Sequence, residues 1–326
     1  NLFRRDRNVL ILLVFLGLLI YANSLMNEMF WDDNEFILKN AYIQNWPFFP
    51  KLFTDNVISG AHLISNYWRP LLLSVFSVEW HLWGAWVQGW HSVNTAFHIA
   101  NSALLFIFLN LLFQRRALAI LTALIFLVHP VQTEAVVYVN SLGDPLSLFF
   151  VLLGLIFYTR FRRSGRNAFR SPHFWLALLA YPLALMSKET GILLVAVIAL
   201  SDYFLQEEKP SWQKKTRALL AALWPFLVIA VVYLVLRATV LNFHNSFNFY
   251  SEGTVLTSRL DIRLWTFFRV LTLYAGFLVL PYDLRVERLI DPAQTLFLPD
   301  VLWGALLFLL LTVLAVRSRK KDPVIT

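Results

Sequence analysis

The chain has 326 residues, of which 58% are hydrophobic and only 15% are charged, and its formal net charge is +8. A soluble domain usually carries about 25% charged residues, so this composition is typical of a helical membrane protein. The absence of cysteine excludes disulfides, thiolate metal sites and cysteine nucleophiles. The basic residues form short blocks between apolar runs, so we interpret them as topology signals and not as a nucleic-acid site.

The first apolar run follows Arg4, Arg5 and Arg7 and predicts a retained membrane helix with a cytoplasmic N-terminus. The segment FWDDNEFI, which follows that run, is then on the outer side of the membrane. Residues 25–91 are less apolar and rich in tryptophan, which predicts a large first outer loop with interfacial helices. Within this loop, RPLLLSVFSVEW is alternatively a short span.

Apolar runs and basic blocks then alternate, and each basic block falls on the cytoplasmic side. The last two runs, LWTFFRVLTLYAGFLVLP and VLWGALLFLLLTVLAV, would place RSRKK outside if both crossed the membrane, so one of them is expected to be re-entrant or a helix is miscounted. The sequence predicts an all-α, polytopic membrane protein with about 8–10 helices in a single transmembrane domain, residues 1–326. Because the chain begins with Asn, we expect it to be a fragment of a longer protein.

Polar residues that are far apart in sequence are predicted to meet at the outer ends of these spans. A charged side chain costs about 2.5–3.5 kcal/mol at the centre of a membrane helix and therefore tends to be paired or functional. Acids and cations on one rim predict a site for an anionic ligand beside a proton acceptor. The residues are Asp32, Asp33, Tyr67, Trp68, Arg69, His98, Asn101, His129, Glu134, Asp144, Lys188 and Glu189.

Several of these residues lie in motifs that resemble a known family. The motifs WDDNEFILKN, NYWRPL, FHIAN, HPVQTEAVVYV, GD and SKETG, in this order, and the later TLYAGFLVLPYDLRVERLIDP resemble the GT-C superfamily of membrane glycosyltransferases. The greatest similarity is to the tetratricopeptide-containing transmembrane O-mannosyltransferases and their bacterial relatives. The resemblance covers roughly residues 20–300. It implies a GT-C-like fold, a polyprenyl-phosphate or dolichyl-phosphate sugar donor, and transfer on the periplasmic or lumenal face.

The resemblance also implies that an aspartate of the first outer loop is catalytic. One position departs from the pattern of the family. Many relatives carry an arginine two residues before the aspartate that aligns with Asp144, whereas this chain has Leu142. This departure puts the binding of the donor phosphate, and therefore the activity, in question.

Glycosyl transfer to a hydroxyl group needs a base near the proton of the acceptor. Asp32 or Asp33 is the predicted base. The pair could alternatively bind a divalent cation, because hard cations prefer oxygen ligands, or serve only as solvated loop residues or as a helix N-cap. A departing monophosphate does not require a metal, so no cofactor is predicted to be necessary and a divalent cation is the second interpretation.

Four basic side chains are candidates to hold the donor phosphate: Arg69, Lys188, His129 and Arg237. Arg69 is the best of them because guanidinium presents a planar, bidentate fork. Each candidate also has a structural interpretation. Trp68 and Arg69 could form an interfacial anchor, Lys188 could extend to the interface beside Glu189, and His129 could cap a helix that Pro130 ends.

Seven further residues are predicted to support the site. His98 and Asn101 are three residues apart and could instead link helices by hydrogen bonds. Trp68 could stack on the sugar or the isoprenoid, and Glu134 and Asp144 could orient basic partners. Arg259, Arg263 and Arg269 are left without a role. The supporting residues are Tyr67, Trp68, His98, Asn101, Glu134, Asp144 and Glu189.

The sequence contains no phosphate-binding glycine motif of the nucleotide-binding type, which favours a lipid-linked donor. We predict a membrane glycosyltransferase that moves a sugar, expected to be mannose, from a polyprenyl phosphate to a hydroxyl acceptor, expected to be protein Ser or Thr. The predicted partners are this donor, membrane lipid and a protein acceptor, but no nucleic acid. Zero cysteines and short loops favour a bacterial cytoplasmic membrane over the endoplasmic reticulum.

The main alternative is a non-catalytic scaffold or accessory subunit that retains the fold and contacts other membrane subunits. A transporter or lipid carrier is a third possibility. It would require charged residues at the middle of the bilayer and inverted halves, and neither feature is evident in the sequence.

Overall fold

The computed structural model describes residues 2–165, 167–205, 212–243, 256, 259–285 and 287–318. These residues form helices and contain no β-strand, which confirms the prediction of an all-α protein. The chain forms two compact units, Asn1–Ser246 and Phe247–Thr326. The prediction of one transmembrane domain stays a prediction.

The helices of the first unit alternate between long apolar segments and short connecting turns. In chain order they are α1 (Leu2–Tyr21), α2 (Ala41–Gln44), α3 (Pro70–Trp83), α4 (Val87–Phe113), α5 (Arg116–Val128), α6 (Thr133–Val137), α7 (Gly143–Arg163), α8 (Pro172–Ser187), α9 (Leu194–Leu205) and α10 (Trp212–Ala238). The second unit contains α11 (Leu260–Val279) and α12 (Pro299–Ser318).

Five helical segments among the described residues are long and apolar enough to cross a membrane. A sixth span results if α5 and α6 count as one, although they are bent by 54° where Pro130 interrupts the helix. Proline has no backbone N–H and cannot continue the hydrogen-bond ladder at that point. The chain is therefore a polytopic helical membrane protein. The five segments are Asp6–Met26, Val87–Phe113, Val139–Arg163, Leu219–Ala238 and Leu260–Val279.

Helix α7 is the centre of the first unit, because it packs against α4, α8 and α9. A cluster of buried aromatic side chains joins α7 to α8 and α10. The rings of Tyr158 and Phe174 lie 6.1 and 6.2 Å from the ring of Phe226. In a membrane such close packing replaces the hydrophobic effect as the main force between helices.

The predicted outer loop folds into a compact helical layer on the end of α7. Its buried side chains include Ile37, Ile43 and Phe76, and they share one apolar cluster with Leu142 and Leu146 at the start of α7. Helix α3 has 14 residues, fewer than the roughly 20 that a span requires. Because its apolar face is buried in this layer, α3 is a helix of the outer loop.

In the second unit, α11 and α12 are consecutive helices that pack closely against each other. The backbones approach at Gly304, where a Cβ atom would lie 1.9 Å from the carbonyl oxygen of Phe268. Arg269 Nε donates to Asp300 Oδ2 at 2.6 Å, and Thr272 Oγ1 donates to the Asp300 carbonyl oxygen at 2.6 Å. Arg269, which had no assigned role, therefore links the two helices.

Candidate active site

The segment WDD begins at a backbone position that few large side chains adopt. Trp31 has a φ of 54°, in the left-handed region, and a π-helical turn follows over Asn34–Leu38. The Trp31 ring stacks on Tyr138, with centroids 6.0 Å apart and planes inclined by 22°. Strained backbone and π-helical turns occur often at functional sites, since packing must hold them in place. Here the turn fixes Asp32 and Asp33 against the connection between α6 and α7.

Asp33 is fully buried and both carboxylate oxygens accept hydrogen bonds from backbone N–H groups. Oδ2 accepts from Phe30 at 3.0 Å and Oδ1 accepts from Asn140 at 2.9 Å. Burial raises the pKa of Asp33 to about 6, although the two hydrogen bonds act in the opposite direction. Asp33 therefore fastens the loop to the α6–α7 connection.

Asp32 is placed differently from its neighbour. Its side chain is partly exposed, and its backbone N–H donates to Tyr138 Oη at 3.2 Å. The backbone is thus fixed from the α6–α7 connection, whereas the residue is less buried than Asp33. Of the two adjacent acids, Asp32 has the geometry of a group that can meet a substrate.

Two ion pairs lie at the outer ends of α7 and α8. Lys188 Nζ is 2.5 Å from Asp144 Oδ2, and Arg69 Nη2 is 2.9 Å from Glu189 Oε2. Arg69 Nε also donates to Glu189 Oε2, at 3.1 Å, so the guanidinium engages the carboxylate through two nitrogens. The Lys188 and Arg69 side chains are 23% and 12% exposed, so neither cation is fully buried.

Neighbouring aromatic and basic side chains hold Arg69 in position. Its guanidinium lies over the Tyr67 ring, 4.5 Å from the centroid, and the Trp68 indole N–H donates to the Phe53 carbonyl oxygen at 2.9 Å. Arg237 donates to the carbonyl oxygens of Leu241, at 2.8 Å, and of Asn66. Arg237 thus fastens the backbone segment that precedes Tyr67, and it also lies near the Tyr233 hydroxyl group.

The α6–α7 connection joins these features into one network. Tyr138 and Asn140 hold the acidic loop, and four residues later Asp144 binds Lys188, which is next to Glu189 in the chain. Glu134 is within electrostatic range of Asp144 and Lys188. We call this set the rim network; its members are Asp32, Asp33, Arg69, Glu134, Tyr138, Asn140, Asp144, Lys188 and Glu189.

His98 and Asn101 lie near the middle of the 27-residue helix α4. His98 Nε2 is 3.1 Å from the Leu127 carbonyl oxygen, and Asn101 Nδ2 donates to the Pro145 carbonyl oxygen at 2.7 Å. These contacts reach the ends of neighbouring helices, since Leu127 is next to the last residue of α5 and Pro145 is in the first turn of α7. That both residues lie at the outer ends of spans stays a prediction. Their described contacts link helices.

The contact of His129 agrees with its structural interpretation, in which it caps a helix end. Its Nδ1 accepts a hydrogen bond from the Val131 N–H at 3.2 Å, so it caps the turn that contains Pro130. Leu142, which departs from the family pattern, is fully buried in the apolar cluster of the outer loop. A side chain at position 142 therefore packs in the apolar core. The cations at the rim are Arg69 and Lys188.

An apolar groove on the membrane-facing surface begins beside the helical layer that the outer loop forms. It has a volume of about 370 Å³ and lies between α1 and α4, with walls that include Leu18, Ile99 and Ala103. Thr95 also lines it, and its buried hydroxyl has no hydrogen-bond partner among the described residues. On the same helix, one turn before Thr95, His91 Nε2 lies 3.1 Å from the Asn27 carbonyl oxygen, which is close in sequence to the acidic loop.

Sequence reasoning missed Tyr138 and Asn140, which support the two acids. Their position in the sequence could have indicated them, because both lie between the predicted residues Glu134 and Asp144 in one outer segment. Their neutral side chains carry no charge signal, and the support from Asn140 comes from its backbone N–H. Among the described residues, no group of three or more His, Asp or Glu side chains is arranged to hold a metal ion.

The chain is similar to several curated proteins. It is 30% identical to protein O-mannosyl-transferase TMTC4 of Homo sapiens over 207 residues, which is 57% of this chain and 28% of that protein. It is 31% identical to protein O-mannosyl-transferase TMTC1 of Mus musculus over 203 residues, or 59% of this chain and 21% of that protein. For Tmtc2 of Drosophila melanogaster the identity is 29% over 198 residues, or 57% and 21%.

The matched part is thus less than a third of the length of each of these relatives. No family model matches the chain, and no solved structure matches it. The resemblance to the transmembrane O-mannosyltransferases that the motifs indicate is confirmed over more than half of this chain.

Proposed function

We propose that this protein is a membrane glycosyltransferase that moves a sugar, mannose in the first instance, from a polyprenyl phosphate to a hydroxyl group of a protein. The observation that carries the proposal is the rim network. It holds a partly exposed aspartate, Asp32, and two cations that are not fully buried, Arg69 and Lys188, on elements that contact one another. The similarity to protein O-mannosyl-transferases supplies the class of reaction.

In this mechanism the Asp32 carboxylate accepts the proton of the acceptor hydroxyl as its oxygen attacks the anomeric carbon of the sugar. The new bond joins the acceptor oxygen to the sugar, and the bond from the sugar to the phosphate oxygen breaks. The departing phosphate gains negative charge, which Arg69 and Lys188 stabilise by charge-assisted hydrogen bonds. Glu189 and Asp144 hold these cations in position before the donor binds.

A lipid-linked donor is supported by the groove between α1 and α4. Its apolar walls and its position between two candidate spans suit an isoprenoid chain drawn from the bilayer. The close approach of the two helices sets the shape of this groove, since a Cβ atom on Gly17 would lie 2.4 Å from Ile99 Cγ1. Transfer on the outer face, periplasmic or lumenal, follows from the cytoplasmic placement of the basic blocks.

The proposal extends to the cofactor and to the location of the protein in the cell. We take the reaction to need no cofactor, and a divalent cation at Asp32 and Asp33 is the alternative; activity that EDTA abolishes and Mg²⁺ restores would favour the cation. The bacterial cytoplasmic membrane stays the predicted location, although the three relatives named above come from animals.

The experiment that tests the proposal is native mass spectrometry of the detergent-purified protein with added polyprenyl-phosphate mannose. It requires no knowledge of the acceptor. We expect a bound adduct in the wild type and its loss in Arg69→Ala, because the phosphate loses its bidentate partner. Arg170→Ala, which removes an exposed arginine on the cytoplasmic side, is the matched control and is expected to bind normally.

Arg69→Ala also leaves Glu189 without its partner, so Arg69→Ala/Glu189→Ala is included to restore the balance of charge. If both variants and the wild type are folded but bind no polyprenyl phosphate, the proposal fails. The non-catalytic scaffold would then be the better explanation, and the burial of Leu142 at a position where many relatives carry arginine would agree with it.

A further inference from the structure

A second pocket lies at the opposite end of the first unit from the rim network. It has a volume of about 230 Å³ and lies between the beginning of α1, the end of α4 and the end of α7. Its floor is apolar and includes Leu10, Phe106 and Leu111. Two exposed arginines, Arg160 and Arg163, line its mouth. The positive-inside rule places this end of the three helices at the cytoplasmic surface.

The charge of the pocket is positive. Asp6 is the one carboxylate among its lining residues, and Arg116 Nε engages it at 3.3 Å. No described carboxylate forms an ion pair with Arg160 or Arg163, whereas Arg162 between them binds Asp202. Two neutral polar groups are close by. Asn110 lines the pocket, and Gln114, with its amide turned to satisfy its hydrogen bonds, accepts from Arg163 at 3.0 and 3.2 Å.

We propose that this pocket binds the phosphate of an anionic phospholipid of the cytoplasmic leaflet, with Arg160 and Arg163 as the ligands of the phosphate. Two guanidinium groups complement one phosphate monoanion and offer it several N–H donors. The apolar floor accepts the upper part of an acyl chain. Basic pockets between membrane helices on the cytoplasmic side are suited to such headgroups.

A simpler explanation is that both arginines only mark topology and complement the negative end of the α7 dipole. The two explanations differ in a measurable way. A general surface charge attracts anionic lipid in proportion to the charge and does not depend on which arginine carries it. A built pocket depends on Arg160 and Arg163 and not on an exposed arginine elsewhere at the same surface.

The test is native mass spectrometry of the full chain, titrated with phosphatidylglycerol or with phosphatidylcholine of the same acyl chains. We expect the wild type to bind phosphatidylglycerol several-fold more tightly. Arg160→Gln and Arg163→Gln should each weaken that binding by about fivefold. Arg170→Gln, which removes one charge from the same side outside the pocket, should leave it unchanged.

Glycerol 3-phosphate without acyl chains is added as a competitor to separate a lipid site from a site for a free anion. Competition at concentrations near those of the lipid would overturn the assignment to a lipid. The proposal is also overturned if the wild type does not distinguish the two lipids, or if Arg170→Gln weakens binding as much as Arg160→Gln does. Should Arg160→Gln unfold, Arg160→Lys keeps the charge without the fork and is expected to bind with intermediate strength.

Discussion

The rim network and the middle of α4 both contain polar residues that the sequence marks as candidates, and the structure uses them in different ways. In α4 the polar groups face backbone: His98 lies against the Leu127 carbonyl oxygen, Asn101 donates to Pro145 and Ser102 donates to Ala123. In the rim network, by contrast, four charged side chains pair with one another, Arg69 with Glu189 and Lys188 with Asp144.

This difference matters for function because a backbone carbonyl has a fixed position, whereas an ion pair at a partly exposed surface can exchange a partner for a ligand. Neutral groups inside the membrane that bind carbonyl oxygens stabilise the packing of helices. Charged pairs near the surface retain the capacity to bind an anion. The following substitutions test that division, from the largest expected effect to the smallest.

Asp32→Asn is expected to lower the rate of sugar transfer at least about 100-fold, because the general base is lost. The hydrogen bond from Asp32 to Tyr138 uses the backbone N–H and is retained in this variant. The rate of polyprenyl phosphate release from the donor measures this effect. Glu35→Gln, which removes an acid of the same loop that pairs with Lys39, is the control, and an equal loss there would contradict the assignment.

Asp33→Asn should instead change how stability depends on pH. The native pKa of about 6 is above the ordinary value of 3.8, so the folded protein binds the proton more tightly than the unfolded chain does. The contribution of this carboxyl to stability is therefore greatest below about pH 4 and decreases as the pH rises to about 6, by on the order of 2–3 kcal/mol. The asparagine variant should lack this decrease.

Thermal unfolding in detergent between pH 4 and 7, for the wild type and Asp33→Asn, measures the effect. The wild type should lose stability relative to the variant as the pH rises. Parallel pH profiles of the two proteins would show that Asp33 is not the buried acid that the structure describes.

Arg69→Lys keeps the positive charge of the rim but loses the bidentate contact with Glu189. We expect the KM for the lipid donor to rise roughly tenfold, with a smaller change in kcat, because the fork contributes mainly to binding of the phosphate. Steady-state kinetics with varied donor concentration give this result. Arg170→Lys is the matched control, and unchanged kinetics in Arg69→Lys would remove Arg69 from the site.

Asn101→Leu should have the smallest effect, on stability alone. It removes the hydrogen bond to Pro145 within the membrane, and such bonds contribute about 0.6 kcal/mol on average. We expect a slightly lower unfolding temperature and an unchanged transfer rate per folded molecule. A large loss of transfer with normal stability would move Asn101 from helix packing into the active site.

The sequence by itself determined the all-α membrane fold, because long apolar runs separated by basic blocks admit few other structures. It also marked Arg69, Asp144, Lys188 and Glu189 as candidates, since charged residues at the ends of apolar runs are rare enough to stand out, but it did not predict how they pair. The expectation of an isoprenoid-linked donor rests on the motifs and not on this pattern.

Only the tertiary structure decided between Asp32 and Asp33. The two acids are adjacent and chemically alike, and which of them is buried depends on the turn at Trp31 and on where Asn140 presents its backbone N–H. Likewise, only the structure shows that the side chains of His98 and Asn101 meet backbone carbonyl oxygens of other helices. Local sequence sets which groups are present, but burial and partners arise from contacts between residues more than a hundred positions apart, as between Asp33 and Asn140.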